Sequence, residues 1–489
     1  VTGTPQIAVD VGGTTRYATY TSGTGTNALT FTLAPQAGDV DLDGVTVSSP
    51  IQLNGGTIKD TKGNDLASLT FTPPNTSNVK VNYPSLGMDF VYDADGRYTL
   101  NGTPYNDLPS FLTATGGTFT RASIGTYFDS SGNLQTATAN TPRFDYDPVT
   151  HAAKGILIEE ARTNLLPQSQ MDSLWVSGGT TPPTVSNSQT YLGIPCVAVT
   201  FTSANTSTGY TGSRATRTGT GAPNAAITTG TQYASSMYVS ASRALTGSES
   251  IGVYFTGTNG FGITYLNSST SSAYVGKWAR STMTPVTAIS TGSVYPTVFL
   301  NSAVSSPVTI YISRGQVEIG PFSTSYIPTG ASTVTRQRDV LSIPVASWLN
   351  TGAGTIFAKT STLYSSASDA STIRDVMRIS DGLANNFYRL FQYRAKYGGS
   401  TQAGGALQSD LQTGSITAGT AYKIGYSYMP NSFISVVSGG LSTAGTSGTL
   451  PSGLTTLYVG GNSPLDGNLQ QFKYYPSKVT NTQLQLLTQ

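Results

Sequence analysis

Ala28-Leu29-Thr30-Phe31-Thr32-Leu33 sets an apolar side chain at every second position and a small or hydroxylated one between. A period of two is how a half-buried strand reads, because successive side chains point to opposite faces of a sheet. The same alternation returns in Val79-Lys80-Val81-Asn82-Tyr83, in Ala198-Val199-Thr200-Phe201 and in Ser236-Met237-Tyr238-Val239. Clusters of Gly, Asn, Asp, Ser and Thr separate these runs and supply turns. Only two segments invite a helical reading, Gly155 to Leu166 and Asn481-Thr482-Gln483-Leu484-Gln485-Leu486-Leu487. The expected fold is all-β, several β-sandwich or jelly-roll domains in series with very little helix.

Composition supports the pattern. Charged residues make up 10% of the 489, against roughly 25% in ordinary globular chains. The only glutamates are Glu159, Glu160, Glu249 and Glu318, too few to solvate the outer faces of many helices. Thr and Ser fill the outward strand positions instead, where they are good β-formers. A net charge of +2 is too small for a surface that must neutralise many phosphates, so nucleic acid is not an expected partner. No run approaches the ~20 apolar residues of a spanning helix, so membrane insertion by a helix is not expected. The single Cys196 has no intrachain partner and reads as a small buried hydrophobe.

Four segments separate along the chain: residues 1–86, 87–165, 166–338 and 339–489. Charge is graded along it. Residues 1–90 carry four basic and seven acidic side chains, net −3, whereas residues 340–489 carry nine and five, net +4.

Within 87–165, Gly117-Thr118-Phe119-Thr120-Arg121-Ala122-Ser123 leads through Thr126-Tyr127-Phe128-Asp129 to Thr141-Pro142-Arg143-Phe144-Asp145-Tyr146-Asp147-Pro148. The segment ends in Gly155-Ile156-Leu157-Ile158-Glu159-Glu160-Ala161-Arg162-Thr163-Asn164-Leu165-Leu166. This run resembles an adapter module of tailed-bacteriophage fibre and spike proteins, of the head-spike or tail-fibre type. The stretch from Trp175 to Val317-Glu318-Ile319-Gly320-Pro321-Phe322-Ser323-Thr324-Ser325-Tyr326-Ile327-Pro328-Thr329 resembles the jelly-roll, carbohydrate-binding-module-like domain that follows it in such proteins. Leu465-Asp466-Gly467-Asn468-Leu469-Gln470-Gln471-Phe472-Lys473-Tyr474-Tyr475-Pro476 is similar to the final strand of concanavalin-A or laminin-G sandwiches. Gly13-Thr14-Thr15-Arg16-Tyr17, Gly38 to Gly44 and Leu53 to Ile58 resemble Ig-like or cadherin-like domains that carry further strands before Thr4-Pro5.

The resemblance implies a virion-surface fibre or spike subunit that attaches to host polysaccharide or lipopolysaccharide. It also implies a homotrimer, and a longer chain whose preceding part joins other virion structural proteins. A polysaccharide depolymerase and a bacterial surface adhesin are the alternative readings.

Asp39-Val40-Asp41-Leu42-Asp43-Gly44 spaces three carboxylates as the first half of a calcium loop does, with Pro50 where the loop's last ligand would stand. Asp39, Asp41 and Asp43 are therefore candidate Ca²⁺ ligands in a chain that otherwise requires no cofactor. Asp93-Ala94-Asp95-Gly96 reads as a hairpin turn. No catalytic residue is expected. The one histidine, His151, falls in a turn, and Glu159 and Glu160 as strand neighbours point to opposite faces, which does not suit a glycosidase pair.

Sugars are held by aromatic faces together with amide, carboxylate or guanidinium groups. The densest such cluster is Asn385 to Arg394, whose alternation places Phe387, Arg389, Phe391 and Tyr393 on one face and Tyr388, Leu390, Gln392 and Arg394 on the other. Tyr388, Arg389, Tyr393, Arg394 and Trp175 are the candidate glycan contacts. Trp278 reads as a core residue, and Trp348 as a cap on the last sandwich.

Overall fold

The computed structural model describes residues 1–91, 97–207, 211–257, 260–366, 372–460 and 463–489; the Asp93–Gly96 turn lies outside them. The protein is nearly all β, as its alternation requires. Of the two segments inviting a helix, only the terminal one forms it, Asn481–Thr488, capped by the Thr480 side chain. Gly155 to Leu166 instead forms the strands Ala153–Ile158 and Arg162–Asn164. Ile156, Leu157 and Ile158 there are buried in succession, the pattern of a strand covered on both faces. A second helix, Leu108–Thr115, opens on a capping box between Asp107 and Ser110 and closes on Gly116 in the left-handed region.

Strand pairing changes the domain reading. A ten-stranded sheet contains Leu86–Asp89, Tyr98–Leu100, Thr103–Tyr105, Phe144–Tyr146 and Ala153–Ile158 next to Gly354–Thr362, Tyr422–Met429 and Gly467–Tyr475. The sheet facing it runs in the order Thr118–Thr120, Val340–Pro344, Thr456–Gly460, Ile373–Ser380, Phe387–Tyr393, Lys396–Ala403, Ala406–Thr413. Residues 87–165 are thus not a separate adapter. They supply strands to both sheets of the C-terminal sandwich, and one continuous core joins Leu86, Met88, Phe119 and Ile156 to Leu341, Ile379, Tyr426 and Phe472.

A second sandwich is inserted into this split one. Its five-stranded sheet pairs Thr184–Tyr191, Ile194–Phe201, Val308–Ile319, Gln232–Ala241 and Ala279–Thr287. A six-stranded sheet centred on Gly292–Ser302 and Ser250–Gly257 lies across a core that includes Val199, Met237, Val253 and Val298. The chain passes into and out of this unit side by side, because Arg162–Asn164 pairs antiparallel with Val334–Arg336. The N-terminal part is smaller, a four-stranded sheet and a two-stranded pair around Val9, Val11, Ala18 and Val45.

A fully buried ionic cluster sits where the two sandwiches join. Arg143 Nη2 lies 2.8 Å from Glu159 and 2.5 Å from Asp339, Arg336 Nη1 2.9 Å from Glu159, and Arg121 Nη1 3.0 Å from Asp339; all five side chains are fully buried. The backbone N–H and hydroxyl of Ser325 both donate to Glu159 at 2.7 Å. Ions taken out of water are tolerated only when so paired. Arg121, Arg143 and Glu159 belong to the run that carries the fibre and spike resemblance, and here they hold two units together.

Candidate functional site

The outer face of the seven-stranded sheet is built by register. Thr118 pairs with Ser342, Ser342 with Tyr458, Tyr458 with Arg378, Arg378 with Arg389, Arg389 with Ser400, and Ser400 with Asp410. These residues form one lateral row across all seven strands. Their neighbours along each strand, Leu341, Leu457, Ile379, Tyr388 and Leu390 among them, point inward to the core. A tight hairpin holds the far end of the sheet in register. Gly404 and Gly405, at φ +57° and +82°, connect its last two strands, a geometry that suits glycine at both positions.

The middle of the row is an aromatic and guanidinium stack. Arg378 lies 4.1 Å from the Phe387 ring centroid; Arg389 lies 4.9 Å from Phe387 and 4.6 Å from Phe391. Cations at such distances are held by the negative face of the ring. Arg389 Nε also donates to Ser400 Oγ at 2.7 Å, and Arg378 Nη2 to the Leu383 carbonyl at 3.3 Å. Asp375 stands behind both, 3.6 Å from Arg389 and 3.9 Å from Arg378, beyond good hydrogen-bonding distance. Burial pushes its carboxyl up and the two arginines only partly offset this, leaving it at about 6.

A groove of about 380 Å³ opens beside the stack, lined by Arg338, Asp375, Arg378, Leu383 and Tyr458. Leu383 is 66% exposed at its rim. Fixed cations, ring edges and an apolar lip over a shallow groove can bind a hydroxyl-rich or anionic ligand.

The structure sorts the sequence candidates. Arg389 lies at the centre of the stack. Tyr393 lies two positions beyond Phe391 on the same face, and Arg394, exposed in the following turn at φ +56°, stands 5.3 Å over its ring. Tyr388 is a correction: it is fully buried, its ring stacked 3.8 Å from Tyr428 at 18°, so neither face is open to a sugar. Trp175 is a second correction, 3% exposed in the inserted sandwich's core with Nε1 donating to the Met171 carbonyl at 2.7 Å. Trp278 is instead half-buried, edge-on to Tyr191, whose ring stacks on Tyr311 at 3.7 Å and 5°. Trp348 is buried and edge-on to Tyr474, at the start of the last segment. Arg378, Asp375 and Tyr458 escaped the sequence reading, although Arg378 carried a signal as an arginine placed outward between the core residues Met377 and Ile379.

The calcium reading is also corrected. Asp39 accepts Arg16 Nε at 2.9 Å and the Gln36 N–H at 2.8 Å. Asp41 takes the N–H groups of Gly12 and Gly44 at 2.7 and 2.8 Å, and Asp43 takes Gln483 Nε2. Each carboxylate is satisfied by a different partner instead of converging on one cation. Among the described residues no group of three or more His, Cys, Asp or Glu side chains could hold a metal ion. His151 is exposed in its turn, and Glu159 is committed to the buried cluster.

No family model matches the chain, and no curated protein matches it. Solved structures give partial likenesses. Domain 4 of AbnA, a GH43 extracellular arabinanase from Geobacillus stearothermophilus, in complex with arabinotriose, is similar over 34% of this chain and 82% of its own, at 11% identity and TM-score 0.27. The CBM22-1–CBM22-2 tandem of Paenibacillus barcinonensis Xyn10C is similar over 66% of this chain and all of its own, at 11% identity and TM-score 0.22. A Trypanosoma rangeli sialidase is similar at 11% identity and TM-score 0.24; 30% of this chain is covered, spanning a quarter of the sialidase.

Proposed function

We propose that this chain is an adhesion protein that binds surface glycans through the outer face of its split sandwich, and that it does so without cleaving them. The supporting observation is the Arg378–Phe387–Arg389–Phe391 stack beside an open groove, with Asp375 set too far back to neutralise both cations fully. In this reading, Arg378 and Arg389 hydrogen-bond a carboxylate, phosphate or vicinal hydroxyls, and Tyr458 and Leu383 cover the apolar side of the ring. The anionic host polysaccharide or lipopolysaccharide suggested by the net +4 of residues 340–489 suits such a face.

The finer assignment is a homotrimeric bacteriophage fibre or spike subunit on the virion surface, attached to other virion proteins. Weak sites repeated on several chains would add through effective concentration to firm, reversible attachment. Titration of the full chain with purified capsule or lipopolysaccharide oligosaccharide tests the binding reading. Arg389→Gln and Arg378→Gln are each expected to weaken binding at least tenfold while melting stays cooperative; unchanged affinity in both overturns it. Release of reducing ends from the same oligosaccharide would favour the depolymerase, and light scattering away from three times the 51.0 kDa chain would remove the trimer.

A further inference from the structure

A pocket of about 110 Å³ lies between the inserted unit's five-stranded sheet and the hairpin of Gly125–Phe128 and Leu134–Ala137, and shares no residue with the sheet-face groove. Tyr238 and Arg280 line it from the sheet, Phe128 and Leu134 from the hairpin, and Tyr326 from the segment after Val308–Ile319. Met237 and Val239 belong to the core of the inserted unit, so Tyr238 between them points outward, beside its register partner Arg280. Its ring is edge-on to Tyr326 at 6.2 Å and tilted against Phe128 at 6.5 Å. The Tyr238 hydroxyl is the anomaly. The residue is 2% exposed, yet this hydroxyl has no hydrogen bond among the described residues, whereas that of Tyr326 pairs with Ser169 Oγ at 2.7 Å. Buried tyrosine hydroxyls usually find a partner. Burial pushes the Tyr238 phenol up, so at neutral pH it keeps its proton and offers a donor.

Positive charge surrounds this donor. Arg280 places Nε and Nη2 on one hydroxyl, Ser236 Oγ, at 3.1 and 2.8 Å, and has no ion pair among the described residues. Arg314 lies 5.6 Å from the Tyr238 ring centroid. It sits on a bulge, since Arg314 and Gly315 together stand opposite Met237, and its φ is +52°. Bulges re-aim side chains, and a non-glycine residue in the left-handed region is held there by its surroundings. Burial pushes the Arg314 guanidinium down, and no carboxylate offsets it. The acidic groups that line the pocket are already engaged. Asp145 accepts Lys154 Nζ at 2.8 Å and the Phe128 N–H at 2.9 Å. Glu159 belongs to the buried cluster, in which three arginines meet two carboxylates.

We propose that this pocket binds a compact organic acid, its carboxylate between Arg280 and the Tyr238 hydroxyl and its short apolar chain against Phe128, Leu134 and Tyr326. The hydroxyl then gains the acceptor it lacks, and Arg280 gains a counter-charge. An inorganic anion would leave the apolar wall uncovered, and a neutral apolar molecule would leave the phenol unpaired. An apolar cavity of about 150 Å³ admits benzene, so a pocket of about 110 Å³ suits a chain of about four carbons. This site goes beyond the glycan-binding face and does not depend on it.

Calorimetric titration of the full chain with butyrate and with butyramide at pH 7 tests the proposal. Butyrate is expected to bind at least tenfold more tightly than butyramide, which has its shape without its charge. Arg280→Gln should abolish that preference. Tyr238→Phe should weaken butyrate at least fivefold while the melting temperature holds or rises, because the hydroxyl removed has no partner in the fold; this covers the case that the Arg280 variant misfolds. Leu134→Trp, which fills the pocket from a half-buried position, should remove binding. No butyrate binding, equal binding of acid and amide, or a melting temperature lowered by Tyr238→Phe overturns the proposal. Butyrate binding that survives both Tyr238→Phe and Leu134→Trp overturns it too, and would point to the sheet face, whose own reading stands or falls separately on Arg378 and Arg389.

Discussion

Glu159 and Asp339, 180 residues apart, hydrogen-bond each other in both directions: the Glu159 N–H donates to Asp339 Oδ2 at 3.0 Å, and the Asp339 N–H donates to the Glu159 carbonyl at 3.0 Å. They mark the two points at which the chain leaves the split sandwich and returns to it. The reciprocal pair, and the three arginines around it, fix the inserted unit at its base.

Breaking that base should be costly. Burial pushes the Glu159 carboxyl up, but Arg336, Arg143 and Ser325 outweigh it and hold it at about 2, against 4.5 when free. A depressed carboxylate contributes stability that is complete above its unfolded value and is lost as pH falls through the folded one. The acid-sensitive window is therefore pH 4.5 down to about 2, worth on the order of 3 kcal/mol. Glu159→Gln should cost about 3–5 kcal/mol at pH 7, since it leaves buried guanidinium charge uncompensated. It should also flatten the fall in melting temperature across that window, measured by circular dichroism.

Binding at the sheet face should depend on pH with the opposite bias. The Asp375 carboxyl, raised to about 6, is largely protonated at pH 5 and ionised at pH 7.5. Protonation removes the negative charge behind Arg378 and Arg389, so affinity for a carboxylated glycan should rise as pH falls, by about fivefold, or ~1 kcal/mol. Asp375→Asn should hold the high affinity throughout. Calorimetry that finds the same slope in the variant would refute the role given to Asp375.

The three tryptophans should separate by quenching. Trp175 and Trp348 are 3% and 1% exposed, whereas Trp278 is half-buried. Iodide should reach one emitting population, and Trp278→Phe should remove it. Trp175→Ala, in contrast, should cost about 3–5 kcal/mol through the cavity it leaves.

Cys196 should be chemically silent. It is fully buried, and burial pushes its thiol up to about 11. An aromatic disulfide reagent should react with less than a tenth of the native protein at pH 8 and with one equivalent once it is unfolded.

The β character was legible because Thr and Ser supply outward positions that Lys or Glu fill elsewhere, and the terminal helix because Thr480 and the Leu484–Leu487 face announce it. Helix Leu108–Thr115 was missed although Asp107, Pro109 and Gly116 are its start and stop signals; its interior threonines are weak helix formers that mask them. The pairing of residues 87–165 with the C-terminal sandwich was not legible, since alternation gives a strand its faces but not its neighbour. The same gap explains the site. Arg389 and its rings stood out as a local cluster, but Tyr458 and Arg378 join it only through register. Asp39 and Asp43 resembled ligands until Arg16 and Gln483, 23 and 440 residues away, were seen to satisfy them.

The split sandwich also dictates an order of events during synthesis. Leu86 pairs with Tyr474, and Ile156 with Leu469. At about 5–20 residues per second, the roughly 300 residues between Ile156 and its partner occupy a ribosome for about 15–60 s. The inserted unit can close within that interval, because its core draws on residues from Leu166 to Val317. The early strands of the split sandwich can form only their local pairs, Leu86 with Leu100 and Ile156 with Phe144, so the edges of Leu86–Asp89 and Ala153–Ile158 that face the last strand wait open beside a finished neighbour. Nascent chains of this protein therefore pass through a long interval of aggregation risk that ends only with the last strand, and a holdase or slow low-temperature expression should raise the folded yield.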